Sequence, residues 1–335
     1  MPEKKPKTER ETAHIFDLTF KHILYEIGSA AVILFINGLF GRTHPLTAEV
    51  SFGKTETVKK RGKNLKNLRS DLILTVNIES DTTRFNYAVE VQIKEDKNIG
   101  LRIFEYAFEY ARETKQISGG DLITLRLPAG CVIYWESAEN TPDQMTLRLI
   151  SEEEPDRYFD YKIRVFKMAD QSLEELESKR LLVLLPFCLV KFRKELKRKN
   201  IAPERRRELV AEASELISEM ETILHRSQSE GILTGEDAII LMEHSIRMHD
   251  ELYGNYPEFK EEQMVLEERF QSQFKKERVT LEEQFKAREE AFKAREEQAV
   301  QAAFKRAESR IIELLEQGYS LERIKEELAR EAPPA

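Results

Sequence analysis

Apolar and polar positions alternate with a period of two across Asp71–Glu95, which predicts two β-strands joined by a short polar turn at Glu79 to Arg84. Closing that hairpin between Ile78 and Phe85 sets Leu72, Leu74, Val76 and Ile78 opposite Val91, Val89, Tyr87 and Phe85. A one-residue slip would break this apolar match, because successive side chains point to opposite faces. The reverse face then carries Asn86, Ala88, Glu90, Gln92 and Lys94, with Asp71 opposite Gln92 and Glu90 on the diagonal.

Around this hairpin the pattern changes period. Asp17 to Phe40 reads as one helix with Phe16, Phe20, Ile23 and Leu24 near one face, ended by Gly38 and Gly41. Leu46 to Phe52 reads as a first strand. Asn98 to Ser118 reads as a helix with Leu101, Phe104, Phe108 and Ala111 at core spacing, while Arg102, Tyr106, Glu109 and Glu113 face elsewhere and Gly119-Gly120 stops it. Cys131 to Trp135 is an all-apolar strand, and Met145 to Ile150 and Tyr158 to Met168 add two more.

After Ser172 the periodicity is helical, interrupted at Pro186 within Leu173 to Lys199 and continuing through Glu204 to Ser227 and Glu236 to Tyr253. Beyond Pro257 lies a charged stretch with a seven-residue echo, Phe285 to Ala291 followed by Phe292 to Gln298. Phe274, Leu281, Phe285 and Phe292 form a narrow stripe, but Arg278, Arg288 and Arg295 occupy alternate core slots. Both a long solvated helix and a partnered coiled coil satisfy that stripe. The expected organisation is a leader over 1–12, a mixed α/β sheet domain over 13–170, a helical region over 171–257 and a charged helical or coiled-coil tail over 258–335.

Charge sharpens the picture locally. The 335 residues carry a formal charge of −8, which argues against indiscriminate binding to nucleic acid. Yet Lys54, Lys59, Lys60, Arg61, Lys63, Lys66 and Arg69 face a single acid, Glu56, in the run just before Asp71. This run is either a solvated loop or a positive lip that grips a phosphate backbone. The two cysteines, Cys131 and Cys188, sit in apolar runs and read as buried thiols of a reducing compartment. The N-terminus has no apolar leader and the longest apolar runs are too short to span a bilayer, so a cytoplasmic protein without membrane partners is expected.

Two carboxylates on opposed strands, Asp71 and Glu90, lie at a spacing where cross-strand Cβ atoms are about 5–8 Å apart. With Gln92 beside them they could hold a divalent ion, and oxygen ligands without histidine or thiolate suit Mg²⁺ or Mn²⁺. The alternative is an ordinary polar face of an edge hairpin. No P-loop, Gly-x-Ser-x-Gly or Gly-x-Gly-x-x-Gly motif competes.

Phe16-Asp17 with Phe20-Lys21, then Ser70-Asp71-Leu-Ile-Leu, then Val89-Glu90-Val91-Gln92-Ile93, then Arg102, Tyr106, Tyr110 and Tyr134-Trp135 follow one another in an α-β-β-β-α-β order. Together with Leu315 to Glu322 this arrangement resembles the Rpn family of recombination-promoting nucleases and putative transposases, within the PD-(D/E)XK superfamily. Ser70 stands where the superfamily has proline, and Gln92 where it has lysine. The resemblance implies a restriction-endonuclease-like core and a Mg²⁺- or Mn²⁺-dependent DNA endonuclease. Asp71 and Glu90 would be the ligands, Gln92 or Lys94 would orient water, and Asp17 and Lys21 would contribute from the first helix. Lys59, Lys60, Arg61, Lys63, Lys66 and Arg69 would bind DNA, and the C-terminal helix would support a homo-oligomer. The rival reading is a core without turnover that serves as a DNA- or protein-binding module.

Overall fold

Glycine and proline positions decide where this chain changes direction. The computed structural model describes residues 9–268 except 54–55, 62–63, 70–71, 79–83, 118–121, 197, 199–200 and 262, with backbone alone over 9–14, 56–61 and 64–69. Its first half comprises α1 (Glu9–Glu26), α2 (Ser29–Phe40), β1 (Glu49–Phe52), β2 (Glu56–Arg61), β3 (Asn64–Arg69), β4 (Leu72–Asn77), β5 (Arg84–Gln92) and α3 (Ile99–Glu113). There follow β6 (Gln116–Ile117), β7 (Ile123–Thr124), β8 (Ala129–Tyr134), β9 (Gln144–Ile150) and β10 (Tyr158–Lys167). The helices α4 (Leu173–Ser178), α5 (Val190–Leu196), α6 (Pro203–Ser229) and α7 (Gly235–Tyr253) follow, with 3₁₀ segments at Met168–Asp170 and Leu182–Leu189. Of the expected charged tail only 258–261 and 263–268 are described, and they are helical; the seven-residue repeat lies outside the described residues.

Six strands form one mixed sheet in the order β1-β4-β5-β8-β10-β9. β5, β8 and β10 run parallel, while β1, β4 and β9 are antiparallel to their neighbours. This is the mixed α/β sheet followed by helices that the periodicity predicts. The helix expected over Asn98 to Ser118 ends at Glu113 and gives way to β6, and three further details differ from expectation. The β4–β5 hairpin pairs Leu72 with Val89 and Asn77 with Arg84, two residues away from the predicted register. A two-residue shift preserves which side chains share a face, so apolar matching alone does not distinguish the two registers. The basic run is also not a loop. It forms β2 and β3, an antiparallel pair separate from the six-stranded sheet.

The third difference is the break between α1 and α2. Gly28 adopts an extended backbone (φ −64°, ψ 151°) and donates its N–H to Asp237 Oδ1 at 2.7 Å. Asp237 is buried and also closes the capping box of α7, accepting from the Thr234 backbone N–H at 3.1 Å and from its hydroxyl at 2.7 Å. One carboxylate thereby satisfies donors at two helix starts. The second helix then runs through Gly38 and ends at Gly41, whose φ of 61° is the left-handed cap that glycine accommodates.

Gly38 has a different use. A Cβ there would stand 2.1 Å from the Lys179 carbonyl and 2.9 Å from Leu181 Cδ2, so α2 packs on the turn after α4 with no room for a side chain. Beneath it, Phe16, Phe20, Phe35, Trp135 and Phe187 form an aromatic core, with Trp135 stacked on Phe187 at 4.3 Å between centroids. Pairs of this kind contribute about 0.5–1.5 kcal/mol beyond area burial. Cys131 and Cys188 are free and buried, and desolvation pushes both thiols up to about 12. Among the described residues no helix is long and apolar enough to cross a membrane.

Gly38→Ala is expected to lower stability by about 1–3 kcal/mol, the usual range for forcing atoms into a packed interface. Urea unfolding followed by the fluorescence of Trp135 measures it. An unchanged midpoint would mean that α2 is not seated against the Lys179–Leu181 turn.

Candidate functional site

A strand in the middle of a sheet has two faces to bury, and β5 fills them with unlike residues. Tyr87 packs against Phe40 from α2 at 4.6 Å between ring centroids, and Phe85 against His44 at 4.8 Å. The other face carries Asn86, Ala88, Glu90 and Gln92 and lies under α3. Ile99, Ile103 and Ala107 of α3 settle on Ala88, Val132, Tyr134 and Ile163.

The helix is turned relative to the predicted core face. Leu101 and Phe108 are exposed, and Tyr106 is buried. The cause is the polarity of β5. A helix crossing that strand must offer partners to its polar side chains, and the stripe Arg102, Tyr106, Tyr110 recurs every four residues as one helix face requires.

The partners are specific. Tyr110 Oη donates to Asn86 Oδ1 at 2.9 Å, and Thr75 Oγ1 donates to the same oxygen at 2.9 Å. Thr75 and Asn86 are direct cross-strand partners. Two turns earlier in the helix, Arg102 Nη2 donates to Glu90 Oε1 in a short ion pair, and Arg102 Nη1 reaches Asp96 Oδ2 at 3.2 Å. Gln92 Nε2 lies 3.3 Å from the same Glu90 oxygen.

Glu90 is only 2% exposed, whereas the Arg102 side chain is 36% exposed. Burial alone would push the Arg102 guanidinium down, but the Glu90 charge and the Tyr106 hydroxyl outweigh it and leave the group above its ordinary value. A buried carboxylate must be paired or neutralised, and here a guanidinium supplies the charge.

This occupancy bears directly on the metal reading. The positive charge beside Glu90 belongs to the protein. Among the described residues, no group of three or more His, Cys, Asp or Glu side chains is arranged to hold a metal ion. The expectation of a Mg²⁺ or Mn²⁺ site at Asp71 and Glu90 is therefore corrected, and with it the reading of a metal-dependent endonuclease, hydrolase or transposase. Mg²⁺ demands near-octahedral oxygen ligation, and a carboxylate committed to an arginine is a poor start for it.

The remaining predicted residues are placed as follows. Asp71 and Lys63 lie outside the described residues. Glu90 and Gln92 are brought together. Lys94 is not on the strand, which ends at Gln92. It is exposed and lines a hollow with Trp135, Glu136, Lys191 and Lys194. Asp17 and Lys21 pair with each other one turn apart on α1, at 2.7 Å. Lys59, Lys60, Arg61, Lys66 and Arg69 lie on β2 and β3, where only the backbone is described.

Thr75, Asn86 and Asp96 were not singled out by sequence reasoning. A register two residues shorter would have set the polar Thr75 and Asn86 opposite each other, and that pairing was the available signal. No family model, curated protein or solved structure matches the chain.

Arg102→Met should cost about 3 kcal/mol, the low end for a broken buried pair because the arginine is partly solvated. Glu90→Gln should cost less, since its amide oxygen still accepts from Arg102 and the remaining charge reaches water. Urea unfolding of the two variants tests this order. A larger loss in Glu90→Gln would contradict it.

Proposed function

We propose that this chain is a nucleic-acid-binding protein that grips duplex DNA with the β2–β3 ribbon and does not depend on a metal to do so. The observation that carries the proposal is the folding of the basic run into its own antiparallel pair. Seven basic residues against one acid over 54–69 contrast with a chain that is acidic as a whole. The ribbon register sets Lys59 opposite Lys66, and like charges directly opposite each other destabilise a strand pair. A polyanion relieves that repulsion and releases counterions on binding.

The shape argument favours DNA over double-stranded RNA. A two-stranded ribbon enters the major groove of B-form DNA, which is about 12 Å wide, but not the deep, narrow groove of an A-form helix. The six-stranded core supports the ribbon as a scaffold whose polar face is taken up by its own ion pairs. Likeness to the Rpn family enters this reading as a resemblance of sequence motifs alone, without shared reaction.

Replacing Lys59, Lys60, Arg61 and Lys66 with Gln should weaken binding to a fluorescent DNA duplex in the presence of EDTA. The slope of log affinity against log salt should shrink by about 0.9 for each phosphate that the variant no longer neutralises. Duplex RNA should bind more weakly than DNA to the wild type. An unchanged slope would show that the ribbon does not touch the phosphates, and loss of all binding in EDTA would show that a metal is required.

A further inference from the structure

β5, β8 and β10 are parallel, and their carboxyl ends converge on one hollow. Lys94 and Glu95 follow β5, the segment from Trp135 to Ala138 follows β8, and Ala169 follows β10, while α5 closes the side with Val190, Lys191 and Lys194. The carboxyl ends of parallel strands are the usual place for a ligand in an open α/β sheet. The volume is about 560 Å³, within the range of small-molecule sites. It adjoins a second cavity of about 280 Å³, and Trp135, Ala169, Val190 and Lys191 line both. Apolar side chains line both: Trp135 and Val190 are shared, and the second cavity adds Leu173, Phe187 and Leu216.

We propose that this double cavity binds a small organic anion with an apolar body, its phosphate or carboxylate head held by Lys191 and Lys194 and its body lying against Trp135 and Val190. The charge at the mouth favours an anion because three lysines outnumber its two acids, one of which is paired with an arginine. Glu136 accepts from the buried Arg193 at 2.5 Å, and Glu95 accepts from Thr141 and from the Ala138 N–H. Lys94, Lys191 and Lys194 line the same mouth, and all three are exposed.

Two polar groups beside the mouth are unmatched. Ser137 Oγ, on the lining, and Arg193 Nη2, behind Glu136, are buried atoms with no hydrogen-bond partner among the described residues. Such groups are uncommon in folded proteins, and an anionic head would supply acceptors. The second cavity also carries the acids Glu174 and Glu219, which favours an uncharged body there and the charged head beside the lysines of the first.

Trp135 is the sole tryptophan, so its emission reports occupancy directly. Octyl phosphate, octanoate and octanol have straight apolar chains of about the same length and differ in the head, and they are titrated into the full chain without nucleic acid. The proposal expects a saturable emission change with octyl phosphate or octanoate and about tenfold weaker binding of octanol, since charge-assisted hydrogen bonds are the stronger ones. Which of the two anions binds more tightly identifies the head.

Lys191→Gln combined with Lys194→Gln should weaken the anion about tenfold and leave octanol unchanged, because the preference is electrostatic. Circular dichroism should show the fold intact, as neither lysine is buried. Equal affinity for octanol and the anions, an unchanged anion affinity in the double variant, or no saturable response to any of the three would each overturn the proposal. None of these outcomes depends on DNA binding, so the two readings fail separately.

Discussion

The buried carboxylate of Glu90 is the constraint around which the sheet and its covering helix are arranged. It sits on β5, a strand covered on both faces, where an unpaired charge would be very costly. Arg102 supplies the counter-charge, and Asp96 fixes the far side of the guanidinium. The rotation of α3 follows from this. Turning Arg102, Tyr106 and Tyr110 toward the strand leaves Leu101 and Phe108 in solvent, an arrangement that apolar periodicity alone disfavours. The Thr75, Asn86 and Tyr110 hydrogen bonds extend the same logic along the strand, so polar pairing and Ile103 packing lock one helix in one phase.

A similar device joins the opposite layer. Asp237, buried at the start of α7, receives the Gly28 N–H from the break between α1 and α2. The break lets α1 lay Phe16 and Phe20 beside Trp135 and Phe187 while α2 delivers Phe40 to Tyr87. In both layers a single carboxylate determines where a helix sits, and apolar packing fills in around it.

Much of the architecture was legible in the sequence because it rests on periodicity. The strand at Cys131, the pairing of β4 with β5 and the helical second half all follow from spacing. What was not legible depends on partners distant in sequence. The α1–α2 break needs Asp237, more than two hundred residues away, and the apolar pattern runs through it unbroken. The hairpin register keeps its face pattern under a two-residue shift, so Asp71, Glu90 and Gln92 looked like an open ligand set. The side chain that answers Glu90 came from a helix face read as pointing elsewhere. The basic run was recognised as a charge feature, but its alternation was too weak to reveal two strands.

On this account, function lies away from the polar face of β5. Charge in excess is displayed on the β2–β3 ribbon and around the hollow at the sheet's carboxyl ends, and the carboxylate that drew attention in the sequence is internal structure. The most direct test is calorimetric titration of Mn²⁺ into wild type and Glu90→Gln. The account predicts the same heats for both proteins, because Glu90 is committed to Arg102. Saturable binding to the wild type that disappears in Glu90→Gln would contradict it.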